Sequence, residues 1–155
     1  TYQERLYWHI RKMVMSHDDA NDVLQNTFMK AWNGIESFRG EARFSSWLYR
    51  IATNETLTFL TNKRMRNIAS MEDEEQILLT QLHADTYFNG NEAEMKLQEA
   101  ILTLPEKQRL VFNMKYFDDL TYEEMEEILQ TSVGALKASY HHAVKKIEKF
   151  LSVEN

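Results

Sequence analysis

The sequence predicts an all-α protein of two small helical domains joined by an acidic tether, the second domain carrying a helix-turn-helix. Four glycines and one proline in 155 residues are too few for the turns that a strand-rich chain needs. Apolar residues recur at helical spacing in both halves. Between them, residues 67–103 hold one basic and eight acidic residues. We therefore expect a first domain over residues 1–66, an acidic linker over 67–91 and a second domain over 92–155.

Two helices are predicted at the start of the first domain. Apolar residues from Leu6 to Met15 form one helical stripe, and Ser16, followed by His-Asp-Asp, predicts the N-terminus of the next helix. Gly34 is its expected left-handed stop. The expected core face of this second helix comprises Ala20, Val23, Leu24, Thr27, Phe28, Ala31 and Ile35. Its other face displays Asp22, Gln25, Asn26, Met29 and Lys30. From spacing alone, a solvated surface and a binding surface are equally good interpretations of this face.

A short charged linker, residues 36–43, is predicted before a long helix that runs from Ser46 to about Arg64 with Ser45 as its cap. One face of this helix is expected to be mostly core: Leu48, Ile51, Ala52, Glu55 and Phe59. A second stripe mixes aromatic, basic and polar residues: Trp47, Arg50, Asn54, Leu57, Thr61 and Arg64. Aromatic rings interleaved with arginines can grip a single nucleic-acid strand. Taken alone, Trp47 is more often a core or boundary residue.

The acidic linker lacks sustained periodicity, and it is predicted to be a flexible tether with a helical turn or two at residues 77–82. Such a tether serves solubility, or it covers a basic face by imitating nucleic acid. The second helical unit is expected to open at residues 92–104.

The second domain shows the order of parts of a helix-turn-helix DNA reader. Pro105 marks one helix start, Thr121 with Glu124 forms a capping box before the next, and Ser132 offers a third. The last helix has an expected core stripe of Val133, Leu136, Tyr140, Ala143, Ile147 and Phe150 or Leu151. Its opposite face carries Ala135, Ala138, Ser139, His142, Lys145, Lys146 and Lys149, with short side chains first and lysines toward the end. This order suits base contacts in the first turns and phosphate contacts later.

Composition excludes several classes of site. With no cysteine, disulfides, thiolate zinc sites and cysteine nucleophiles are excluded, and the histidines lack metal-binding spacing. We expect no catalytic residues, no metal and no cofactor. No apolar run approaches the roughly 20 residues of a membrane span, so a cytoplasmic protein is expected. Net charge is −6, distributed as +3 over residues 1–66, −7 over 67–103 and −2 over 104–155. Neither half is basic enough to bind DNA tightly through charge alone. If DNA is the target, a partner protein must therefore supply most of the affinity for DNA.

Two long patterns, in matching order and spacing, carry a family resemblance. The first half contains DANDVLQNTFMKAW at residues 19–32 and FRGEARFSSWLYRIATN at 38–54. The second contains LPEKQR at 104–109, LTYEEM at 120–125 and SVGALK at 132–137. Together they resemble regions two and four of bacterial extracytoplasmic-function (ECF) sigma factors.

The resemblance implies partners and roles. Core RNA polymerase would be bound through its clamp coiled coil and its flap, promoter DNA would be read, and an anti-sigma factor is an expected antagonist. The polymerase-docking residues would be Asp22, Gln25, Asn26, Met29 and Lys30. Contacts to the minus-ten element would come from Phe38, Arg39, Phe44, Trp47, Arg50, Asn54 and Arg64. Contacts to the minus-thirty-five element would come from Ser132, Ala135, Lys137, Ala138, Ser139, His142 and Lys145.

Five positions depart from the family pattern. Thr58 stands where aspartate is common and Thr61 where arginine is common. In the helix-turn-helix, Glu126 replaces a small residue, Gln130 the turn glycine and Ser139 an arginine. A non-glycine residue in a left-handed turn costs on the order of 1 kcal/mol.

Two functions from different classes fit the sequence. The first is a sigma factor that directs core polymerase to promoters and opens them. The alternative is a sigma-like interaction module that binds an anti-sigma protein or polymerase without reading DNA, which the weak basic charge and the missing arginine suit. An enzyme is a distant third. The sequence shows no nucleophilic side chain paired with a general base and no glycine loop that could hold a phosphate.

Overall fold

The computed structural model describes residues 1–38, 40, 43–67, 73–85 and 91–153. Within these ranges every secondary-structure element is a helix, which confirms the predicted fold class. The α-helices are α1 (Tyr2–Val14), α2 (His17–Gly34), α3 (Phe44–Asn67), α4 (Glu74–Ala84), α5 (Glu92–Leu102), α6 (Glu106–Tyr116), α7 (Tyr122–Leu129) and α8 (Val133–Val153). A short 3-10 helix, Ile35–Ser37, follows α2. None of the described helices combines the length and the apolar character that a membrane span requires.

In the first half, residues 1–67, α1, α2 and α3 pack against one another. Leu6, Ile10 and Met13 on α1 are fully buried. Met15, with φ of 61°, ends α1 in the left-handed conformation, and its N–H donates to the carbonyl of Arg11. Ser16 then caps α2 by accepting from the N–H of Asp19 at 3.3 Å, as the sequence predicts.

Three predictions for the first half are wrong. Gly34 is not a left-handed stop, since its φ is −100° and the chain continues into the 3-10 helix. Phe28 and Ile35, expected in the core, are 37% and 44% exposed. The long helix begins at Phe44 and not after a cap at Ser45. Periodicity shows which face is apolar but not whether another element covers it.

The linker segment contains a helix that is longer than the predicted turn or two. Asp73 caps α4 by accepting from the N–H of Glu75 at 3.2 Å, and Glu74 and Glu75 occupy its first turn, where the helix dipole favours acids. Leu78 and Leu82 are buried in a cluster with Met15 and Leu102, so α4 joins the two halves.

The second half, residues 91–153, contains the predicted helix-turn-helix in α7 and α8. Thr121 and Glu124 form the capping box. Gln130 is left-handed, with φ of 54°, as the replacement of a turn glycine predicts. At the start of α8, Ser132 Oγ accepts from the N–H of Ala135 at 3.2 Å, and Glu126 Oε2 accepts from the N–H of Val133 at 3.1 Å. Glu126 therefore caps the helix that follows the turn.

The two halves pack together around a shared core. One hydrophobic cluster includes Leu48 and Leu60 from the first half and Leu110, Met125 and Leu136 from the second. In the chain, α3 lies against α7 and α1 lies against α6. Side-chain hydrogen bonds of His9 and Arg50 also join the two halves.

Candidate nucleic-acid interface

The outer face of α2 holds the five residues expected to dock on polymerase, and the structure brings them together. Asp22, Gln25, Asn26, Met29 and Lys30 are all exposed, and Met29 retains 62% of its accessible surface. Lys30 Nζ pairs with Glu55 of α3. The face is thus accessible, and its single cation, Lys30, pairs with α3.

Next to this face lies an apolar surface that sequence reasoning missed. Trp32 is 80% exposed, and Tyr2, Ile35 and Phe44 are 38% to 44% exposed. With Phe28 they line one groove between α1, α2 and the start of α3. The sequence indicates an apolar stripe here, since residues 28, 32 and 35 follow helical spacing. The same spacing is equally typical of a buried core face.

Three aromatic residues of the expected minus-ten set form a cluster. The ring centroids of Phe38 and Trp47 lie 5.2 Å apart, those of Phe44 and Trp47 5.7 Å, and those of Phe38 and Phe44 5.8 Å. Gly34 lies close by, because a Cβ there would be 3.6 Å from the Trp47 ring. Arg39 falls outside the described residues. The cluster offers ring faces at the surface, the chemistry on which bases stack.

The polar members of the minus-ten set differ in environment. Asn54 is exposed, but Arg50 and Arg64 contact the second half of the chain. Arg50 donates through Nε and Nη2 to the backbone carbonyl of Glu127, at 3.2 and 2.5 Å. Arg64 pairs with Glu106 and also with Glu74 of α4, at 3.6 Å.

The charge environment of Arg64 favours its cationic form. Burial lowers the pKa of Arg64, but the hydrogen bond and charge of Glu106 and the charge of Glu74 outweigh burial and raise that pKa above its ordinary value. Nearby, burial lowers the pKa of Arg109, whose side chain is 2% exposed, while the same two glutamates act against that shift. Glu74 and Glu106 thus stabilise positive charge at the junction of the two halves.

A second polar contact between the halves lies on α1. His9, 1% exposed, approaches Asp118 Oδ2 through Nδ1 at 3.0 Å and Thr53 Oγ1 through Nε2 at 2.9 Å. Beside it, burial raises the pKa of Tyr49 to about 12, and the negative charge of Asp118 adds to the shift. A buried polar group is stable only when its partners are in place, so this contact fixes how α1 faces the second half.

The expected minus-thirty-five face lies on α8, opposite its buried stripe. Leu136, Ala143 and Ile147 are buried, while Val133, Tyr140, Phe150 and Leu151 are half-buried. The expected DNA-facing residues are exposed except for Ser139, which is half-buried: Ser132, Ala135, Lys137, Ala138, His142 and Lys145. Lys137 also lies 5.7 Å above the Tyr122 ring centroid. The first turns therefore present small side chains and the later turns cations, as the sequence predicts.

Comparison with known proteins gives the family. The model of Sigma-70 region 2 matches residues 1–66, and that of Sigma-70 region 4 matches residues 94–147. The chain belongs to the ECF sigma factors of the sigma-70 family. It is 32% identical to the ECF RNA polymerase sigma factor SigW of Bacillus subtilis, over 97% of this chain and 84% of that protein. It is 34% identical to the ECF RNA polymerase sigma-E factor of Haemophilus influenzae, over 95% and 82%.

Solved structures show the same fold. The sigma factor RpoE of Bartonella quintana, solved with the anti-sigma factor NepR, matches with a TM-score of 0.71 at 21% identity, over 99% of this chain and 94% of that one. CnrH, solved with the cytosolic domain of CnrY, matches with a TM-score of 0.68 at 20% identity, over 97% and 82%. As an ECF sigma factor, the chain is a transcription initiation factor, and its helix-turn-helix lies in region 4.

Proposed function

We propose that this sigma factor docks on core RNA polymerase through α2, reads the minus-thirty-five element with α8 and captures the opened minus-ten element with the aromatic cluster and the cations of α3. Three separate, chemically suited surfaces on one chain support this proposal. Catalysis would stay with the polymerase, and the chain would act in the cytoplasm, where it meets that polymerase. Residues 1–66, 67–91 and 92–155 would serve as docking and minus-ten domain, linker, and minus-thirty-five domain.

The exposed face of α2 supports the docking role. Its acid, amides, methionine and lysine can pair with polar groups and pack on apolar ones along a partner helix, as a clamp coiled coil would require. We propose that Asp22, Gln25, Asn26, Met29 and Lys30 contact that coiled coil, and that region 4 contacts the flap.

The promoter roles are divided by chemistry. Opening a duplex costs a few kcal/mol for each flipped base, so an extruded base needs an aromatic surface and hydrogen-bond donors in return. Phe38, Phe44, Trp47 and Asn54 offer these, and Arg39, Arg50 and Arg64 would hold the backbone. Small side chains allow close approach to base edges, so the start of α8 and its exposed face would meet the duplex through Ser132, which precedes the helix, and through Ala135, Lys137, Ala138, Ser139, His142 and Lys145.

An anti-sigma factor is the proposed antagonist. RpoE of Bartonella quintana was solved with the anti-sigma factor NepR, and this chain shares its fold. The exposed groove around Trp32 offers apolar surface of the kind that partner proteins cover.

Reconstitution tests the function. Core polymerase with this chain should start transcription at defined sites in a library of genomic fragments, while core polymerase alone should not. Substituting Asp22 and Gln25 by alanine should weaken polymerase binding, whereas Gln76→Ala on the linker helix, also exposed, should leave it unchanged. Unchanged binding in the double variant would refute the docking assignment.

The alternative, a sigma-like module that does not read DNA, is favoured by one observation. Arg50 and Arg64, both assigned to the minus-ten element, are bound within the chain. Polymerase binding without any transcript from the library would establish this alternative.

A further inference from the structure

An open cleft of about 410 Å³ lies between α1 and the end of α6, where the two halves of the chain meet. One wall is a single face of α1, which carries Glu4, Arg5, Trp8 and Lys12. The opposite wall includes Phe117, the residue that ends α6. None of these residues belongs to the proposed polymerase-docking or promoter sets. The cleft is therefore a feature that the proposed function does not use.

Two cations line this cleft, and each lies over an aromatic ring. The guanidinium of Arg5 is 5.7 Å from the centroid of the Tyr49 ring. The ammonium group of Lys12 is 5.4 Å from the centroid of Trp8 and 5.0 Å from that of Phe117. Among the described residues neither cation forms an ion pair with a carboxylate. Both cations can therefore take an anionic group, at two places about 10 Å apart along α1.

Two acids line the same cleft. The exposed carboxylate of Glu4 has no cationic partner in the described part of the chain. Asp118 meets His9 Nδ1 through Oδ2 at 3.0 Å, and its second carboxylate oxygen can accept from another donor. With two groups of each sign, the lining has no net formal charge. Charge complementarity thus favours a ligand that carries both signs over a simple anion.

Two groups of the cleft have displaced pKa values. Burial lowers the pKa of Lys12, and the negative charge of Asp118 opposes that shift. Burial raises the pKa of Tyr49 to about 12, and the charge of Asp118 adds to the rise. Displaced pKa values are common at functional sites. A ligand carboxylate beside Lys12 would offset the cost of burying its ammonium group.

We propose that this cleft binds a small zwitterion with an aromatic side chain, the chemistry of an aromatic amino acid or of a short peptide that contains one. The two cations pair with the carboxylate of the ligand, and the two acids pair with its ammonium group. The aromatic ring packs against Trp8 and Phe117. Because these two rings come from different halves of the chain, the bound ligand also stabilises the contact between α1 and the end of α6.

A set of matched probes tests each part of this recognition. L-Phenylalanine carries all three groups, phenethylamine lacks the carboxylate, 3-phenylpropionate lacks the ammonium group and L-alanine lacks the ring. L-Alanyl-L-phenylalanine places the two charges farther apart, so it distinguishes a peptide from a free amino acid. The readout is the NMR spectrum of the ¹⁵N-labelled chain, in which three tryptophans give three indole N–H signals. Trp8→Phe assigns the signal of Trp8.

We expect the Trp8 signal to move with L-phenylalanine or with the dipeptide, while the signals of Trp32 and Trp47 stay in place. The better of these two probes should bind about tenfold more tightly than each truncated probe, because each truncation removes a charged contact or the ring. Tighter binding of the dipeptide assigns a peptide ligand, and tighter binding of L-phenylalanine assigns a free amino acid.

Variants of the two cations locate the site. Lys12→Met keeps the length of the side chain and removes its charge, and it should weaken binding about tenfold. Arg5→Gln does the same at an exposed position, where a failure to fold is not a concern. The matched control is Lys146→Met, exposed on α8, which should bind as the parent does. The ligand should also raise the midpoint of thermal unfolding of the parent more than that of Lys12→Met.

Three results would overturn the proposal. They are a Trp8 signal that moves with none of the probes at about 10 mM, equal binding of a truncated probe and of both complete probes, or unchanged binding in Lys12→Met and Arg5→Gln. Every readout uses the chain without polymerase or DNA. Failure of this proposal is therefore distinct from failure of the proposed function, which shows as absent transcription.

Discussion

The cap that Glu126 provides to α8 gives a sharp prediction about the helix-turn-helix. Glu126 Oε2 accepts from the N–H of Val133, one of the N–H groups at the start of α8 that have no partner within the helix. Replacing a capping side chain with alanine costs about 0.5–2 kcal/mol. Because Glu126 is exposed and water can replace it, we expect Glu126→Ala to lower the free energy of unfolding by about 0.5–1 kcal/mol.

Urea denaturation followed by circular dichroism measures this loss. Glu126→Gln retains an oxygen acceptor and should lose less than half as much. Glu148→Ala removes an exposed carboxylate on α8 that, unlike Glu126, lies far from any helix N-terminus, so it controls for the loss of the charge itself. If Glu126→Ala and Glu148→Ala have the same free energy of unfolding, Glu126 does not cap α8. The glutamate found where the family has a small residue would then have no structural explanation.

Three further predictions concern stability. Gln130→Gly should raise the free energy of unfolding by about 0.5–1 kcal/mol, because φ of 54° strains a side chain; no gain in urea denaturation would refute the left-handed turn. Leu136→Ala, at a site 1% exposed, should cost about 2–5 kcal/mol, clearly more than Leu129→Ala at a half-buried site. Since burial raises the pKa of Tyr49 to about 12, the folded chain favours the neutral phenol and loses that stability as pH rises from about 10 to about 12. Tyr49→Phe should lose less stability than the parent over that range; identical pH profiles for Tyr49→Phe and the parent would contradict the assignment.

Local signals in the sequence predicted much of the secondary structure. Ser16, Ser132 and the Thr121–Glu124 pair act through neighbours three residues away, so their caps can be recognised without tertiary information. The apolar stripes of α1 and α8 were predicted for the same reason.

Contacts between distant residues account for what the sequence did not predict. The partners of Arg50 and Arg64 lie 77 and 42 residues away, and no local rule connects them. Spacing predicts Phe28 in the core, but spacing cannot show that this side chain remains 37% exposed in the groove between α1, α2 and the start of α3. The linker helix α4 lacks a strong amphipathic pattern, and it is held by Leu78, Leu82 and the pairing of Glu74 with Arg64. The sequence thus predicted which candidate site residues of α2 and α8 lie at the surface. It did not predict that Arg50 and Arg64 of α3 bind other parts of the chain.

Promoter opening tests the central claim most directly. A promoter fragment selected by polymerase with this chain can be probed with permanganate, which oxidises unpaired thymines. We predict reactive thymines across the minus-ten region with the parent chain, and their loss with Trp47→Ala while the minus-thirty-five region stays protected. Protection of the minus-thirty-five region by the parent without any reactive thymine would contradict the claim that this sigma factor captures the opened strand.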